Sequence, residues 1–440
     1  MKNLFIFKER IIDLKNQKIV FNFQLLYQNK KYNFTEIIIL PKNFQIINKN
    51  GPILEEVLKH LHLILGVNYW KLTCAPDFDL GDIKLAKSQA DFWNTVYTKG
   101  LGEFFYKNKI DFRNLIKFPF SDSYNYQQLA HLITSDKSLL FFSGGKDSIV
   151  SAEILKEKNI DFTCFSMNPN NIIFDSQKLT DSKLLILKRE LDPLLFELNA
   201  KPNFYNGHVP VNAILAFIGL LMSYLYDFKN LIISNEDSAN YPNANYLEEN
   251  INHQWSKSFE FENMFHKYAK EILPSVNYFS LLRNMSEYEI TEKLSKYPKY
   301  FLHFSSCNEN FKIKNPMTDK RWCGKCPKCL FTFIMLSVFL PRTKILEIFE
   351  EDLLNKYTLL PIFRKLLGID IKPFECVGTD TEVKLALLKI YKKHEFNNSI
   401  LMSYFINEIL PNLDENYLNK NVINLKTKNL IPKNLNKYEN

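Results

Sequence analysis

The sequence predicts an α/β protein in three parts: an N-terminal α+β domain over residues 1–130, a parallel-sheet domain over residues 131–340 and a helical extension over residues 341–440. Three observations predict this arrangement. Two β-rich segments joined by a short polar turn precede an apolar helical pattern near the N-terminus. A strand, a glycine-rich turn, a helix and a second strand follow in the middle of the chain. The final part returns to a helical pattern.

The N-terminal part combines a hairpin with a helix. The β-rich segments Ile19–Tyr27 and Tyr32–Leu40 flank the polar turn. Residues Pro52–Leu65 then carry apolar side chains at helical spacing, and Gly66 is predicted to end this helix. The polar, tyrosine-rich stretch Ser121–Gln128 is predicted to link this part to the next.

The central part has the order of a βαβ unit. The apolar run Ser138–Phe142 is predicted to be a strand, and a helix follows it to about Lys158. A second strand is expected over Asp161–Met167, and this strand–helix–strand order implies a parallel sheet. Farther along, Val211–Tyr226 is predicted to be a buried helix and Asn230–Ser234 another strand.

Composition sets limits on the class of protein. Of the 440 residues, 46% are hydrophobic and 14% aromatic, which is enough to bury large cores. The net charge of +8 is mild for this length, so anionic substrates such as nucleotides are permitted and nucleic acid is not required. No secretory leader is recognisable, and the longest apolar stretches are shorter than the ~18 residues of a membrane span. We therefore expect a cytoplasmic protein with neither nucleic acid nor membrane as a partner.

A glycine-rich loop follows the first strand of the central part. It consists of Ser143, Gly144, Gly145, Lys146, Asp147 and Ser148. Its two glycines allow the backbone to approach a ligand closely, and the helix that begins after them turns free N–H groups toward the loop. Such a loop can cradle an anion such as pyrophosphate, with Lys146 neutralising phosphate charge. An aspartate here makes sense if Asp147 holds Mg²⁺ or the amides of the loop.

Four of the seven cysteines have the spacing of a metal site. Cys323, Cys326 and Cys329 form a C-x2-C-x2-C cluster, and Cys307 lies upstream. Gly or Pro in the turns lets successive sulfurs point at one centre, and four thiolates make a closed, structural zinc site. An iron–sulfur cluster also fits the spacing, and unmetallated thiols are the third alternative. The odd number of cysteines argues against a disulfide framework.

The glycine-rich loop resembles the SGGxDS loop of the PP-loop ATP pyrophosphatases and differs in spacing from the GxxxxGKS Walker loop. The resemblance implies an adenine nucleotide alpha hydrolase-like fold that uses ATP and Mg²⁺. It also implies cleavage between the α and β phosphates with an adenylated intermediate. PP-loop enzymes that make deazaguanine nucleobases carry a similar cysteine-rich zinc knuckle, which favours zinc here.

Further polar blocks are similar, in order, to those of the UDP-N-acetylmuramoyl-L-alanyl-L-glutamate epimerase family. They are Asn206–Ala213, Ser234–Asn240, Asn252–Ser258, Tyr278–Arg283 and Lys372–Gly378, with Gly100–Phe104 farther upstream. This resemblance implies an ATP-dependent isomerase of peptidoglycan precursor synthesis, hence of cell wall biogenesis and cell shape. The terminal L-glutamate of the UDP-sugar dipeptide would become D-glutamate through an acyl-adenylate, with release of AMP and diphosphate. Adenylation would remove the charge of the carboxylate and make the α-carbon more acidic.

Several polar residues are candidates for the site. Glu236 and Asp237 follow a strand and are candidate Mg²⁺ ligands, although Asp237 could instead cap a helix. Asn206 and Arg283 are candidate substrate-binding residues, and a core ion pair is the alternative for Arg283. The candidates for proton transfer are His208, His253, Lys257, Glu260 and Cys376. The sequence does not choose a pair among them.

Two other functions fit parts of the sequence. A PP-loop enzyme that modifies a tRNA base or a nucleobase would use the same loop and the same cysteine cluster. No separate RNA-binding segment is evident, however, and the charge excess is mild. A zinc-bearing protein without catalytic activity is the other alternative, and the intact glycine-rich loop argues against it.

Overall fold

The structure is a computed structural model that describes residues 3–49, 51–124, 133–313, 315–317, 319–425, 427–433 and 435. The predicted linker Ser121–Gln128 therefore lies partly outside the described residues. None of the described helices combines the length and apolar character that crossing a membrane requires.

The strands of the described chain form one large sheet and one small hairpin. They are β1 (Leu4–Asp13), β2 (Lys18–Tyr27), β3 (Lys30–Ile39), β4 (Asp77–Asp79), β5 (Ser138–Phe141), β6 (Phe162–Met167), β7 (Lys183–Glu190), β8 (Asn230–Ile233), β9 (Ala244–Tyr246), β10 (Glu249–Ile251) and β11 (Asn277–Ser280). The large sheet has the order β11-β8-β5-β6-β7-β3-β2-β1-β4, and β9 pairs with β10 separately.

The large sheet is mixed, with both parallel and antiparallel pairs of strands. Strands β11, β8, β5, β6 and β7 are parallel, as the βαβ pattern predicts. Strand β3 pairs antiparallel with β7, and the buried ion pair between Arg189 and Glu36 (2.7 Å) spans this junction. The N-terminal strands thus extend the central sheet. Their pairing satisfies backbone groups that an open edge at β7 would leave unpaired.

Helices cover both faces of the sheet. They are α1 (Pro52–Leu65), α2 (Val67–Trp70), α3 (Lys87–Gly100), α4 (Gly102–Asn108), α5 (Lys146–Glu157), α6 (Asn171–Lys178), α7 (Pro193–Asn199), α8 (Val211–Tyr226), α9 (Phe259–Ile272), α10 (Glu287–Ser295), α11 (Pro327–Phe339), α12 (Arg342–Phe349), α13 (Leu360–Leu366), α14 (Asp380–Lys393), α15 (Ile400–Glu408) and α16 (Glu415–Val422). Among the described residues beyond 341, the regular elements are helices.

Alternation along the central strands creates two hydrophobic cores. Leu139 and Leu231 belong to the core that also contains apolar residues of α1, α8 and α9. Their neighbours Leu140 and Ile232 belong to the core formed with α5, α11 and α14. Successive side chains of a strand point to opposite faces, so apolar strands such as β5 and β8 hold helices on both sides.

The topology places a crevice beside the glycine-rich loop. From β5 the chain proceeds to β6 on one side, and it later returns to place β8 on the other side. Strand order therefore reverses at β5. In open α/β sheets, ligands bind outside the carboxyl ends of the strands at such a switch point.

Candidate active site

A cavity of about 420 Å³ lies at the carboxyl ends of β5, β6 and β8. The glycine-rich loop contributes Ser143, Gly145, Asp147 and Ser148 to its wall. Apolar side chains line another part, and Lys257, Lys328 and Cys376 line a third. This volume falls in the range of small-molecule sites, and the mixed lining suits a ligand with an apolar ring and an anionic end.

Hydrogen bonds within the glycine-rich loop hold its two ends together at the start of α5. Gly144 has a φ of +72°, and a Cβ there would lie 3.1 Å from the Cα of Ile173. A side chain at this position is therefore disfavoured both by the positive φ and by the close contact with Ile173. The Ser148 hydroxyl donates to the carbonyl of Gly145 at 3.0 Å and accepts from the amide of Ser143 at 3.3 Å. Because the first amides of a helix have no acceptor within it, those of α5 can donate to an anion in the loop.

Lys146 lies in the protein interior and not on the cavity wall. It is 3% exposed and does not line the cavity. Its ammonium contacts the carboxylates of Asp147 and Glu287. Burial would lower the pKa of Lys146, but these two carboxylates outweigh burial and raise it. The charge of Lys146 is thus balanced within the protein, and its role in neutralising phosphate charge stays a prediction.

Glu236 and Asp237 face different surroundings. Glu236 is 1% exposed, and its Oε2 has no hydrogen-bond partner within the described residues. Its charge acts on Lys146 and Lys257, so its carboxylate lies near both. Asp237 accepts from Asn240 at 3.2 Å and lines a separate cavity. Of these two residues, Glu236 is the one with an unpaired buried carboxylate oxygen, the feature that a cation would satisfy.

Arg283 lies in the protein interior and does not line the cavity. It is fully buried, and its guanidinium forms an ion pair with Glu262 at 2.7 Å. It also donates to the carbonyls of Glu236 and Lys257. The alternative interpretation, a core ion pair, is what the structure contains, and this pair fixes the backbone beside the cavity.

Two other candidates lie outside the cavity lining. Asn206 is exposed, and its side chain accepts from Lys71 at 3.4 Å. Glu260 forms an exposed ion pair with Lys99 and accepts from the indole of Trp255 at 2.9 Å. The structure places Glu260 on the separate cavity that Asp237 also lines.

Cys376 is the cysteine that lines the cavity. Burial alone would raise its pKa, but Lys257, Lys328 and His253 together outweigh burial and lower the pKa of Cys376 to about 5. The pKa of Lys257 is shifted the other way: burial would lower it, and Cys376, Glu236 and Asp147 raise it. At neutral pH this pair therefore consists of a thiolate and an ammonium, two groups whose pKa values are driven apart.

His253 connects Cys376 to a buried carboxylate. Its Nδ1 contacts Glu103, and a hydrogen bond joins its side chain to Cys376. Burial would lower the pKa of His253, but these two partners raise it to about 9. For Glu103, burial would raise the pKa, but the hydrogen bond from His253 and further cationic neighbours lower it to about 2. An imidazolium between a thiolate and a carboxylate is the result.

His208 lies beside Glu103 and His253. Its Nδ1 lies 3.4 Å from Glu103, and its ring centre is 4.6 Å from that of His253. Burial and the neighbouring His253 charge lower the pKa of His208 to about 3, so it is neutral. It does not line the cavity. Of the five predicted proton-transfer candidates, only Lys257 and Cys376 do.

Three residues at or near this site have no role that the sequence alone indicates. Glu103 belongs to the Gly100–Phe104 block, to which no role was attached. Lys328 lies inside the cysteine cluster, where only the thiols attract attention. Lys372 has a buried ammonium without a hydrogen-bond partner in the described structure. Charged side chains one position away from a motif carry no separate sequence signal.

The four cysteines of the cluster converge. Sulfur–sulfur distances are 3.5 Å for Cys326–Cys329, 3.7 Å for Cys323–Cys329 and 4.0 Å for Cys307–Cys326. Tetrahedral coordination with metal–sulfur bonds of about 2.3 Å requires sulfurs about 3.8 Å apart. The predicted set of four is therefore assembled as a possible metal-binding cluster.

Comparisons with known proteins agree across the chain. The family described as the MurL N-terminal domain matches residues 1–281, and the MurL C-terminal domain matches residues 303–419. A protein of Xanthomonas oryzae pv. oryzae is 35% identical, over 85% of this chain and 83% of its own length. Proteins of Micromonospora sp. and Salinispora tropica are 34% and 35% identical, each over 92% of this chain and over 90% and 88% of their own lengths. All three are named UDP-N-acetyl-alpha-D-muramoyl-L-alanyl-L-glutamate epimerase.

Proposed function

The chain belongs to the MurL family of epimerases, and from this premise we propose that it is a PP-loop enzyme that activates its substrate with ATP. Family membership makes it an epimerase of UDP-N-acetylmuramoyl-L-alanyl-L-glutamate, hence of a peptidoglycan precursor. The proposal adds the acyl-adenylate, the cofactors and the residues. Its main support is that one cavity contains both the glycine-rich loop and the oppositely charged pair Cys376 and Lys257.

The nucleotide would occupy the part of the cavity beside the loop. Ser143, Gly144, Gly145 and Ser148 would surround its phosphates, and apolar residues at the ends of β5 and β6 would contact the adenine. Asp147 lines the cavity, and the charge of Glu236 acts on the same two lysines, Lys146 and Lys257, as that of Asp147. These two carboxylates suit Mg²⁺, which prefers oxygen ligands and would neutralise phosphate charge. Asp237, in its separate cavity, is a less suitable ligand.

Adenylation explains why an epimerase would consume ATP. Removing the α-proton next to a free carboxylate would build a dianion. In the proposed step the glutamate α-carboxylate attacks the α-phosphorus of ATP, the bond to the leaving diphosphate breaks, and the acyl-adenylate forms. The α-carbon is then more acidic, and each pKa unit gained is worth about 1.36 kcal/mol. After inversion, water attacks the acyl carbon and AMP leaves.

Cys376 and Lys257 are the proposed proton-transfer pair. The thiolate of Cys376 has the charge that a base needs, and the ammonium of Lys257 has the proton that an acid needs. The thiolate would remove the α-proton. Lys257 is hydrogen-bonded to Cys376, so return of a proton from Lys257 to the other face requires the substrate to enter between the two groups. His253 and Glu103 would hold the thiolate in its charged form. His208 would serve by packing beside His253, since it does not reach the cavity.

The cysteine cluster is proposed to hold Zn²⁺. Four thiolates with near-tetrahedral spacing leave no position open for water, so the ion would stabilise the fold locally and take no part in proton transfer. An iron–sulfur cluster places its thiolates on different iron atoms, which requires wider spacing than these sulfurs show.

Diphosphate release tests the activation step. We expect the protein to release AMP and diphosphate from ATP only when the UDP-sugar dipeptide and Mg²⁺ are present. Asp147→Ala should reduce diphosphate release severely and leave circular dichroism unchanged, because its side chain lies at the cavity wall. The exposed Asp181→Ala is the control and should match the parent. Full activity of Asp147→Ala would remove the loop from the ATP site. ATP consumed on a tRNA or nucleobase instead would favour the alternative enzyme class.

A further inference from the structure

Residues next to the cysteine cluster in the chain line the candidate active-site cavity. Ser305 and Ser306, which directly precede Cys307, line the cavity. Ser305 also donates its amide to the carbonyl of Gly144 at 3.4 Å. A Cβ on Gly145 would lie 3.4 Å from the hydroxyl of Ser306. The segment that carries the first cysteine is therefore packed against the glycine-rich loop.

Lys328 extends from the cluster into the same cavity. It lies between Cys326, which precedes α11, and Cys329 in the first turn of that helix. Both cysteines are buried, so the backbone on either side of Lys328 is held by the cluster. Its neighbour Lys325, between Cys323 and Cys326, is exposed instead. The cluster thus presents one lysine to the cavity and one to solvent.

Lys328 differs from Lys146 and Lys257 in the partners of its ammonium group. The ammonium of Lys146 is bound to Asp147 and Glu287. Lys257 is hydrogen-bonded to Cys376. Lys328 forms no ion pair with a carboxylate of the described residues, although its charge acts on Cys376 and Glu375. Among the described lining residues it is the cation whose donors remain open to a ligand.

We propose that Lys328 binds the phosphates of the nucleotide and that the cysteine cluster serves to hold this lysine opposite the glycine-rich loop. The inference rests on the proposed use of ATP. An ammonium is a strong ligand for phosphate because its hydrogen bonds are charge-assisted. The loop supplies backbone amides and hydroxyls, and Lys328 supplies a positive charge, since the charge of Lys146 is balanced by Asp147 and Glu287. The metal centre would thereby be part of the active-site architecture.

Binding of a non-hydrolysable ATP analogue tests this assignment. Titration calorimetry with Mg²⁺ and α,β-methylene-ATP would compare the parent with Lys328→Ala, Lys328→Met and Lys328→Arg. Loss of a hydrogen bond to a charged group predicts a Kd about tenfold to a hundredfold higher for both neutral variants. Lys328→Arg should recover part of the affinity. Lys325→Ala is the matched control and should bind like the parent.

Metal content and circular dichroism decide what a change in affinity means. All variants should keep the metal and the fold of the parent. A neutral variant at position 328 that keeps its metal and binds the analogue as tightly as the parent would overturn the inference. Loss of metal from both neutral variants would also contradict it, since the ammonium is assigned to the cavity. Failure of the parent itself to bind the analogue would instead remove the proposed use of ATP.

Discussion

Cys376 shows how opposing influences define one side chain. Burial favours a neutral thiol, whereas two lysines and an imidazolium around it favour the thiolate and lower its pKa to about 5. From sequence, Cys376 was one of several candidates, since none of these neighbours is close in the chain. Lys257 and His253 lie more than a hundred positions away from it.

Replacing Cys376 separates activation from proton transfer. We expect Cys376→Ala to lose epimerisation by about 10²-fold to 10⁴-fold, the usual contribution of a positioned acid or base. Substrate-dependent diphosphate release should persist, because adenylation does not use the thiol. Exchange of the glutamate α-hydrogen, followed by mass spectrometry in D₂O, and diphosphate release should be measured on the same sample. Undiminished exchange would exclude Cys376 as the base.

The pH dependence of kcat/KM tests the role of His253. Because the pKa of Cys376 is lowered, the thiolate is present above about pH 5 and is lost as the pH falls through that value. Epimerisation should decline over the same range. His253→Ala removes a hydrogen bond and a positive charge that both lower the Cys376 pKa, so the acidic limb should move to higher pH. The exposed His394→Ala should leave the profile unchanged. A profile of His253→Ala identical to that of the parent would contradict this account.

For Arg283 and Lys146, the sequence alone does not predict which partner the charged side chain has. Each lies in a motif-like block, and each has a charge suited to an anionic ligand. Their charges are instead taken up by the buried carboxylates of Glu262 and Glu287. A sequence states which charges exist, but burial and partner choice arise only when distant elements pack.

Individual elements were predicted well where their signals are local. The helix Val211–Tyr226 has the predicted bounds, and the predicted bounds of β5, α5 and β6 agree with the structure to about one residue. Periodicity and the glycine-rich turn specify these elements without help from the rest of the fold. The small hairpin of β9 and β10 was not predicted, since its three-residue strands are too short to show alternation.

The cysteine cluster is the element whose role is easiest to isolate. Cys326→Ser should lose the bound metal and lower the midpoint of thermal unfolding by several degrees, because metal binding contributes directly to folding. Cys376→Ser is the control and should keep its metal, since that thiol is not part of the cluster. Elemental analysis and thermal denaturation provide the two readouts. Metal-free parent protein, with Cys326→Ser equally stable, would refute the metal site.

At the scale of the whole molecule, one sheet joins segments that the sequence suggested were separate. The pairing of β3 with β7 connects residues about 150 positions apart, and no local pattern announces such a contact. What the sequence did predict is the parallel half, because the βαβ order constrains it. The switch point at β5 then places the loop, Lys257 and Cys376 around one cavity.

The central claim is that ATP activates a carboxylate so that its α-proton can be exchanged across this cavity. The most direct measurement is mass spectrometry, with chiral separation, of glutamate hydrolysed from the UDP-sugar dipeptide after reaction in D₂O. With ATP and Mg²⁺, we predict D-glutamate carrying deuterium at the α-carbon, with AMP and diphosphate appearing in step with it. D-glutamate formed without ATP, or formed with its original hydrogen retained throughout, would contradict the account.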